Sequence, residues 1–218
     1  MDLHIERIIA KLTTPLKLLI CRFLYHSSKI TFGSKVLVYG GLKVRGKKGT
    51  IEIGDMCTIR RLNINFIDSG NSGLLKLNRE CTIEHGVTLA PRSGSIIIEK
   101  NVFLGQNVLV QSFDNARVCI GEGTLIAKDC NILASDHDLN DVQGGYRKEV
   151  GKSILLGRNV WLGAGVVVLP GVIIGDCAVL GAGSIVTGDL PAYSLSVGNP
   201  ARVIKTFNRA NMKWEKVC

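Results

Sequence analysis

The chain has 218 residues, of which 46% are hydrophobic and 21% are charged, and its formal net charge is +9. This composition is typical of a folded globular protein, and no window approaches the roughly 20 consecutive apolar residues of a membrane-spanning helix. The positive charge favours an anionic partner such as a phosphorylated cofactor, an acidic glycan or an anionic membrane surface. Nucleic acid is disfavoured, because the basic residues are not interleaved with aromatic ones.

The first 30 residues predict a helical segment, since apolar residues recur at helical spacing between positions 3 and 29 and lysines and arginines lie between them. One interpretation is a cap on the open end of the following domain. The other is a helix lying on an anionic membrane surface. No small-residue cleavage site follows it, so we expect a cytoplasmic protein, peripheral to the inner face of the membrane under the second interpretation.

A six-residue repeat dominates the rest of the chain. Every sixth residue is aliphatic, and the residue four places later is small or β-branched. The same register recurs between Ile53 and Ile132, where Cys57, Cys81 and Cys130 occupy the small position. In the last stretch the aliphatic positions are Leu156, Leu162, Val168, Ile174, Leu180 and Val186.

This period predicts a strand of about five residues followed by a corner, because six matches neither a helix nor a simple alternation. Three such steps make one turn, and each turn must stack on the next to bury its apolar face. We therefore predict an all-β solenoid, a triangular prism of parallel strands, over residues 31–206. Residues 207–218 are predicted to form a short helix or tail.

One long insertion breaks the repeat. The distance from Ile132 to Leu156 is 24 residues where 6 would continue the register. The insertion, loop 136–152, begins with Asp136-His137-Asp138 and continues with polar residues and glycine. Long loops that leave a regular solenoid usually carry function.

The stretch from Val160 to Lys205, which closes with Gly-Asn-Pro-Ala-Arg-Val-Ile-Lys, resembles the hexapeptide-repeat acyltransferases. Within that family it is most similar to the maltose/galactoside enzymes and to the O-acetyltransferases of capsule, O-antigen and colanic acid. The resemblance implies a left-handed β-helix, acetyl-CoA as co-substrate, and a homotrimer whose active sites lie between subunits.

Acetyl transfer from a thioester to a hydroxyl needs a base for the hydroxyl proton and donors for the oxyanion. Histidine suits the base, because the unperturbed pKa of an imidazole is about 6.5. His137 matches the family's catalytic histidine, whereas His85 lies inside a hexapeptide and is interpreted as a surface residue. No Gly-x-Ser-x-Gly motif is present, so we expect direct attack without a protein nucleophile. Asp138 and Glu149 are alternative partners that would orient the imidazole.

The resemblance also implies the other site residues. Trp161 would line the cleft for acceptor and acetyl-CoA, although burial in a subunit interface would explain it too. Asn107 matches a substrate-contacting asparagine and is equally consistent with a structural corner. Asp114 and Asp138 are candidate contacts to sugar hydroxyls.

For the cofactor, small residues would leave a groove for pantetheine, and basic residues near the C-terminus would contact the phosphates, unless they are simply solvated. Many relatives carry a lysine where this chain has Gly188, which leaves one phosphate contact in doubt. With no CxxC motif and no Cys/His cluster, we expect no metal. The candidate cofactor residues are Trp161, Gly163, Ala164, Gly181, Ala182, Arg202 and Lys205.

These patterns favour an acetyl-CoA-dependent O-acetyltransferase acting on a sugar of a bacterial surface polysaccharide or its precursor. An N-acetyltransferase of an amino nucleotide-sugar, or a serine acetyltransferase, is the alternative. A β-helix scaffold without catalysis is a third interpretation, disfavoured by the inserted loop with its histidine.

Overall fold

The structure is a computed structural model that describes residues 29–46, 49–66, 72–142 and 147–217. The helical cap or membrane segment predicted for residues 1–30 lies outside these ranges, except for Lys29 and Ile30, which open the first strand. None of the described residues belongs to a helix that could cross a membrane.

The chain winds through seven turns of a three-sided prism, and each turn contributes one strand to each side. Neighbouring strands on a side come from successive turns and run parallel. The first side, face A, consists of β1 (Lys29–Phe32), β4 (Gly49–Ile53), β7 (Gly73–Leu77), β10 (Ser95–Ile98), β13 (Arg117–Ile120), β17 (Ile154–Leu156) and β20 (Ile173–Ile174).

The second side, face B, is the longest. It consists of β2 (Leu37–Val38), β5 (Thr58–Ile59), β8 (Thr82–Ile83), β11 (Phe103–Leu104), β14 (Leu125–Ile126), β18 (Trp161–Leu162), β21 (Val179–Leu180) and β23 (Ser194–Gly198), followed by β24 (Ala201–Asn208) and β25 (Lys213–Lys216). The third side, face C, consists of β3 (Leu42–Arg45), β6 (Leu62–Phe66), β9 (Val87–Arg92), β12 (Leu109–Ser112), β15 (Asn131–His137), β19 (Val167–Val168) and β22 (Ile185–Val186).

The interior of the prism confirms the six-residue register. The inward aliphatic residues Leu104, Ile126 and Leu162 are fully buried and stack in one column of face B. The small positions are buried as well, including Cys57, Cys81 and Cys130. Burial raises the pKa of the Cys130 thiol, which disfavours the thiolate that a nucleophile would need.

Three edges separate the faces, and stacked corners form each edge. In one late turn, residues 157–160 form the AB edge, residues 163–166 the BC edge and residues 169–172 the CA edge. The corners stack so closely that some positions admit no side chain. A Cβ added to Gly163 would lie 2.7 Å from the backbone nitrogen of Ala182 in the next turn.

The predicted insertion is confirmed by the strand register. Ile132 on β15 pairs directly with Val168 on β19, although the chain between them is twice as long as an ordinary late turn. Loop 136–152 is therefore extruded at the CA edge without disturbing the stack.

The C-terminus differs from the predicted helix or tail. Residues 201–216 form an antiparallel hairpin, in which β24 pairs with β23 and β25 pairs with β24. β24 also continues past residue 206, where the prism was predicted to end. Because β24 can bond to the exposed edge of β23, a strand forms where the sequence has lost the six-residue pattern.

Leu104→Ala should destabilise the prism, because the side chain of Leu104 is fully buried and its removal leaves a cavity in the packed interior. We expect a loss of about 2–5 kcal/mol in the free energy of unfolding, measured by urea denaturation. Leu37→Ala, at an outward position of the same face where the side chain is 41% exposed, is the control and should change it by less than about 0.5 kcal/mol. Equal losses in the two variants would contradict the inward register.

Candidate functional site

His137 ends β15 at the CA edge and begins the insertion. The chain returns as β16 (Glu149–Gly151), which pairs antiparallel with β15 so that His137 lies opposite Glu149. The predicted loop is thus a β-hairpin that extends a prism strand. Side chains on a paired strand are positioned more rigidly than side chains on an open loop.

The imidazole of His137 is oriented by the main chain. Its Nδ1 lies 2.9 Å from the carbonyl oxygen of Arg147, which can only accept a hydrogen bond. Nδ1 therefore carries the proton, and in the neutral ring Nε2 keeps the lone pair that a general base needs. The side chain of His137 is exposed at the CA edge.

Both carboxylates that were predicted to orient the imidazole accept hydrogen bonds from other residues. Asp138 accepts a hydrogen bond from the backbone of Asn140, 2.9 Å away, and stabilises a local turn. Glu149 instead accepts a hydrogen bond from the guanidinium of Arg92 on β9. Main-chain partners carry no side-chain signature, so the sequence could not have identified the carbonyl of Arg147.

Arg92 fastens the hairpin to the prism, a role that the sequence analysis missed. In addition to its ion pair with Glu149, its guanidinium carbon lies 4.6 Å from the ring centre of Phe113. Both partners are far from Arg92 in sequence, and no motif marks the arginine. The contact holds β16 against the CA edge and therefore fixes the strand that faces His137.

Asp114 lies on the same edge as His137. It occupies the corner after β12 with φ of 48°, and its backbone nitrogen donates to the hydroxyl of Ser93 at 3.1 Å. The carbonyl of the preceding Phe113 packs against Gly151, at the base of the hairpin. Asp114 and Asp138 thus share the CA edge with the imidazole, which is consistent with contacts to an acceptor.

Trp161 lies on the outer surface of face B, and 53% of its side chain is exposed. It pairs with Leu125 in one neighbouring strand and with Val179 in the other. Phe103 and Leu125 are also exposed in this row, so face B presents an apolar strip. An apolar strip of this kind needs a ligand or another protein surface to cover it.

Five of the predicted residues lie near the BC edge. Asn107 is a corner residue with φ of 58°. Its amide nitrogen donates a hydrogen bond to Asp129 at 3.1 Å, so the side chain has a structural contact at this corner. Gly163 and Ala164 lie one turn before Gly181 and Ala182 along this edge. A Cβ at Gly181 would lie 2.7 Å from a methyl of Val197, so a larger residue there would have to displace that side chain.

Arg202 and Lys205 lie on β24, which continues face B beyond the last turn. Arg202 pairs with Val197 and Lys205 pairs with Leu195. Both cations therefore project on the same outer surface as Trp161. Gly188, the position at which the resemblance led us to expect a lysine, is exposed and contributes no charge.

The structure divides the predicted site into two groups that do not meet within one chain. His137, Asp114 and Asp138 lie at the CA edge, and the residues around Trp161 lie on face B and the BC edge. Face C separates them, since β15 runs from Asn131 beside the BC edge to His137, a distance of roughly 20 Å at the usual rise per residue.

Comparisons with known proteins identify a matching family model and relatives of known name. Residues 153–188 match the family model described as bacterial transferase hexapeptide (six repeats). WbbJ of Escherichia coli K12, named as an O-acetyltransferase of lipopolysaccharide biosynthesis, is 32% identical over 67% of this chain and 79% of its own length. The galactoside O-acetyltransferase of the same organism is 37% identical over 52% of this chain, and the match spans about half of that enzyme, 55%.

Solved structures share the architecture. The polysialic-acid-specific acetyltransferase NeuO superimposes with a TM-score of 0.69 at 27% identity, covering 88% of this chain and 79% of NeuO. The polysialic acid O-acetyltransferase OatWY gives a TM-score of 0.70 at 23% identity, covering 88% and 89%. AntD, an N-acyltransferase from Bacillus cereus solved with dTDP and coenzyme A, gives a TM-score of 0.59 at 19% identity, covering 87% and 91%.

Glu149→Ala should loosen the hairpin that carries His137, because it removes the acceptor for the guanidinium of Arg92. We expect amide hydrogen exchange in residues 136–138 and 147–151 to accelerate about tenfold, as measured by mass spectrometry. Glu52→Ala breaks a looser, exposed ion pair with Lys76 at 3.7 Å and is the control. Unchanged exchange in the Glu149 variant would show that Arg92 does not fasten the hairpin.

Proposed function

This chain belongs to the hexapeptide-repeat acyltransferase family, and from that membership we propose that it moves an acetyl group from acetyl-CoA to a sugar hydroxyl of a bacterial surface polysaccharide or its precursor. Its fold is a left-handed parallel β-helix, the fold of the O-acetyltransferases with which it superimposes. Its relatives show that the chain is an acyltransferase. We propose the acceptor and the mechanism.

The observation that carries the mechanism is the orientation of the His137 imidazole. With Nδ1 bonded to the carbonyl of Arg147, Nε2 is the basic nitrogen. In the reaction, Nε2 takes the proton of the acceptor hydroxyl while its oxygen attacks the thioester carbonyl carbon. The tetrahedral intermediate then collapses, the carbon–sulfur bond breaks, and the imidazolium returns the proton to the leaving thiolate. Free CoA and the acetyl ester are the products.

The oxyanion of that intermediate needs a donor, and the amide of Asn107 is our candidate. Its nitrogen carries two hydrogens, and the bond to Asp129 uses one of them. Asn107 lies at the BC edge, away from His137 of the same chain. The acceptor would contact Asp114 and Asp138 beside the imidazole.

We propose that the site is completed between subunits of a homotrimer. The CA edge of one chain would meet the face B and BC edge of its neighbour, so that the neighbour's Trp161 lies beside the imidazole. Such a head-to-tail contact closes into a ring of three when it rotates each copy by about 120° relative to the one before. The apolar strip on face B and the exposed Leu139 and Val142 of the hairpin would then be covered.

An acidic glycan is the acceptor that we favour. The net charge of +9 suits a polyanionic chain, and both NeuO and OatWY are named for polysialic acid. Transfer to an amino group, the activity for which AntD is named, is an outcome of the assay below. We place the enzyme in the cytoplasm, where acetyl-CoA is available. The proposed membrane contact through residues 3–29 lies outside the described residues, except for Lys29.

His137→Ala should lower kcat by about 10²–10⁴-fold, because it removes the general base. Release of free thiol from acetyl-CoA, measured with a panel of acidic and neutral glycans and amino nucleotide-sugars, checks this and identifies the acceptor class. His85→Ala is the control, since His85 is an exposed histidine beside Glu84 on the prism wall. Undiminished turnover in the His137 variant would show that His137 is not the general base. Thiol release with amino acceptors alone would show that the acceptor group is an amine and not a sugar hydroxyl.

Mixing two inactive variants tests the shared site. Chains with His137→Ala and chains with Trp161→Ala should each be nearly inactive, and co-refolded together they should recover partial activity. The recovery arises because some interfaces in the mixed trimer combine an intact His137 with a neighbour's intact Trp161. Activity no higher than the mean of the separate samples would contradict a site made from two chains.

A further inference from the structure

The C-terminal hairpin places two lysines directly opposite each other. Lys205 on β24 and Lys216 on β25 are antiparallel partners, so their side chains project on the same side. Like charges in that arrangement repel and destabilise a hairpin. Among the described residues neither lysine forms an ion pair. The arrangement therefore favours a bound anion between them.

The acidic residue of this hairpin, Glu215, does not neutralise the two lysines. Glu215 precedes Lys216, and successive residues of a strand project on opposite sides. Its carboxylate also accepts hydrogen bonds from the amides of Asn211 and Asn208, at 2.9 and 2.8 Å, which lower the pKa of Glu215. The carboxylate is thus held on the far side of the strand.

The lysine pair ends a row of residues that begins at Trp161. In register across four neighbouring strands beyond Trp161 lie Val179, Leu195, Lys205 and Lys216. The inward neighbours of this row, Leu180 and Ser196, are buried, so the row itself faces outward. With strands about 4.8 Å apart, the lysine pair lies roughly 14–19 Å from Trp161.

A ligand that fits this row has a reactive group near the ring of Trp161 and an anionic group at the lysine pair. A narrow, extended chain connects these two groups and lies over the aliphatic side chains between them. An extended pantetheine arm with its phosphates has that form. Arg202 adds a third cation on the same surface, opposite Val197, whose methyl lies against the Gly181 corner of the proposed cofactor groove.

Resting on the proposed function, we propose that Lys216 joins Lys205 in binding the phosphates of acetyl-CoA, so that the added strand β25 is part of the cofactor site. Lys216 does not touch the reacting atoms. It positions the nucleotide end of the cofactor and selects acetyl-CoA over thioesters that lack phosphates.

The test compares Lys216→Ala with Lys213→Ala, which removes the same charge from the opposite side of the same strand. Lys216→Ala should raise KM for acetyl-CoA about tenfold and leave kcat unchanged, as expected for loss of a charge-assisted contact. With S-acetylpantetheine, which has no phosphates, its kcat/KM should equal that of the wild type. Lys216→Arg should restore the KM, and Lys213→Ala should change neither parameter.

Three results would overturn this inference: an unchanged KM for acetyl-CoA in Lys216→Ala, an equal rise in Lys213→Ala, or a rise in the KM of an acidic acceptor in place of acetyl-CoA. Thermal unfolding of each variant confirms that the hairpin is intact. Wild-type turnover and its loss in His137→Ala judge the proposed function separately, so the failure of one is distinguishable from the failure of the other.

Discussion

Stacking of one turn on the next is the constraint on which the whole molecule depends. Each strand bonds to the equivalent strand of the turns before and after it, and each inward aliphatic residue packs on its counterpart. No single turn could bury its apolar side alone. The narrow interior is filled by aliphatic residues and by small ones such as Ser112, Ser184 and Ser196. Charged and bulky polar side chains therefore lie on the outer surfaces and along the edges.

The insertion makes use of that constraint. β15 pairs with its neighbours for its first residues and then continues past the CA edge, where β16 takes over the pairing. The histidine therefore lies on a strand whose direction is fixed by the prism. Arg92 fixes the returning strand from a different turn, and the carbonyl of Arg147 fixes the ring. Catalytic groups held this way need little reorganisation when substrate binds.

A prism with such a site cannot function as an isolated chain under this proposal. A single triangular solenoid has edges on opposite margins of each face, and residues placed on two edges cannot approach one another. In the proposed trimer, the exposed Trp161, Leu125 and Phe103 would be covered by the neighbouring chain and by the cofactor. The C-terminal hairpin extends face B, and under the same proposal it would lengthen this surface toward the anionic end of the cofactor.

The sequence by itself determined the prism, because a six-residue period with aliphatic and small residues at fixed places admits few other packings. It also located the insertion and its histidine, since an interruption is visible wherever a repeat is regular. Only the tertiary structure decided that the insertion is a hairpin, that the main-chain carbonyl of Arg147 bonds Nδ1 of His137, and that residues 213–216 form a strand. These depend on contacts between distant turns, such as that of Arg92 with Glu149, which leave no local pattern. For the same reason only the structure separates His137 from Trp161, because sequence spacing gives the turn on which a residue lies but not how far apart two edges are.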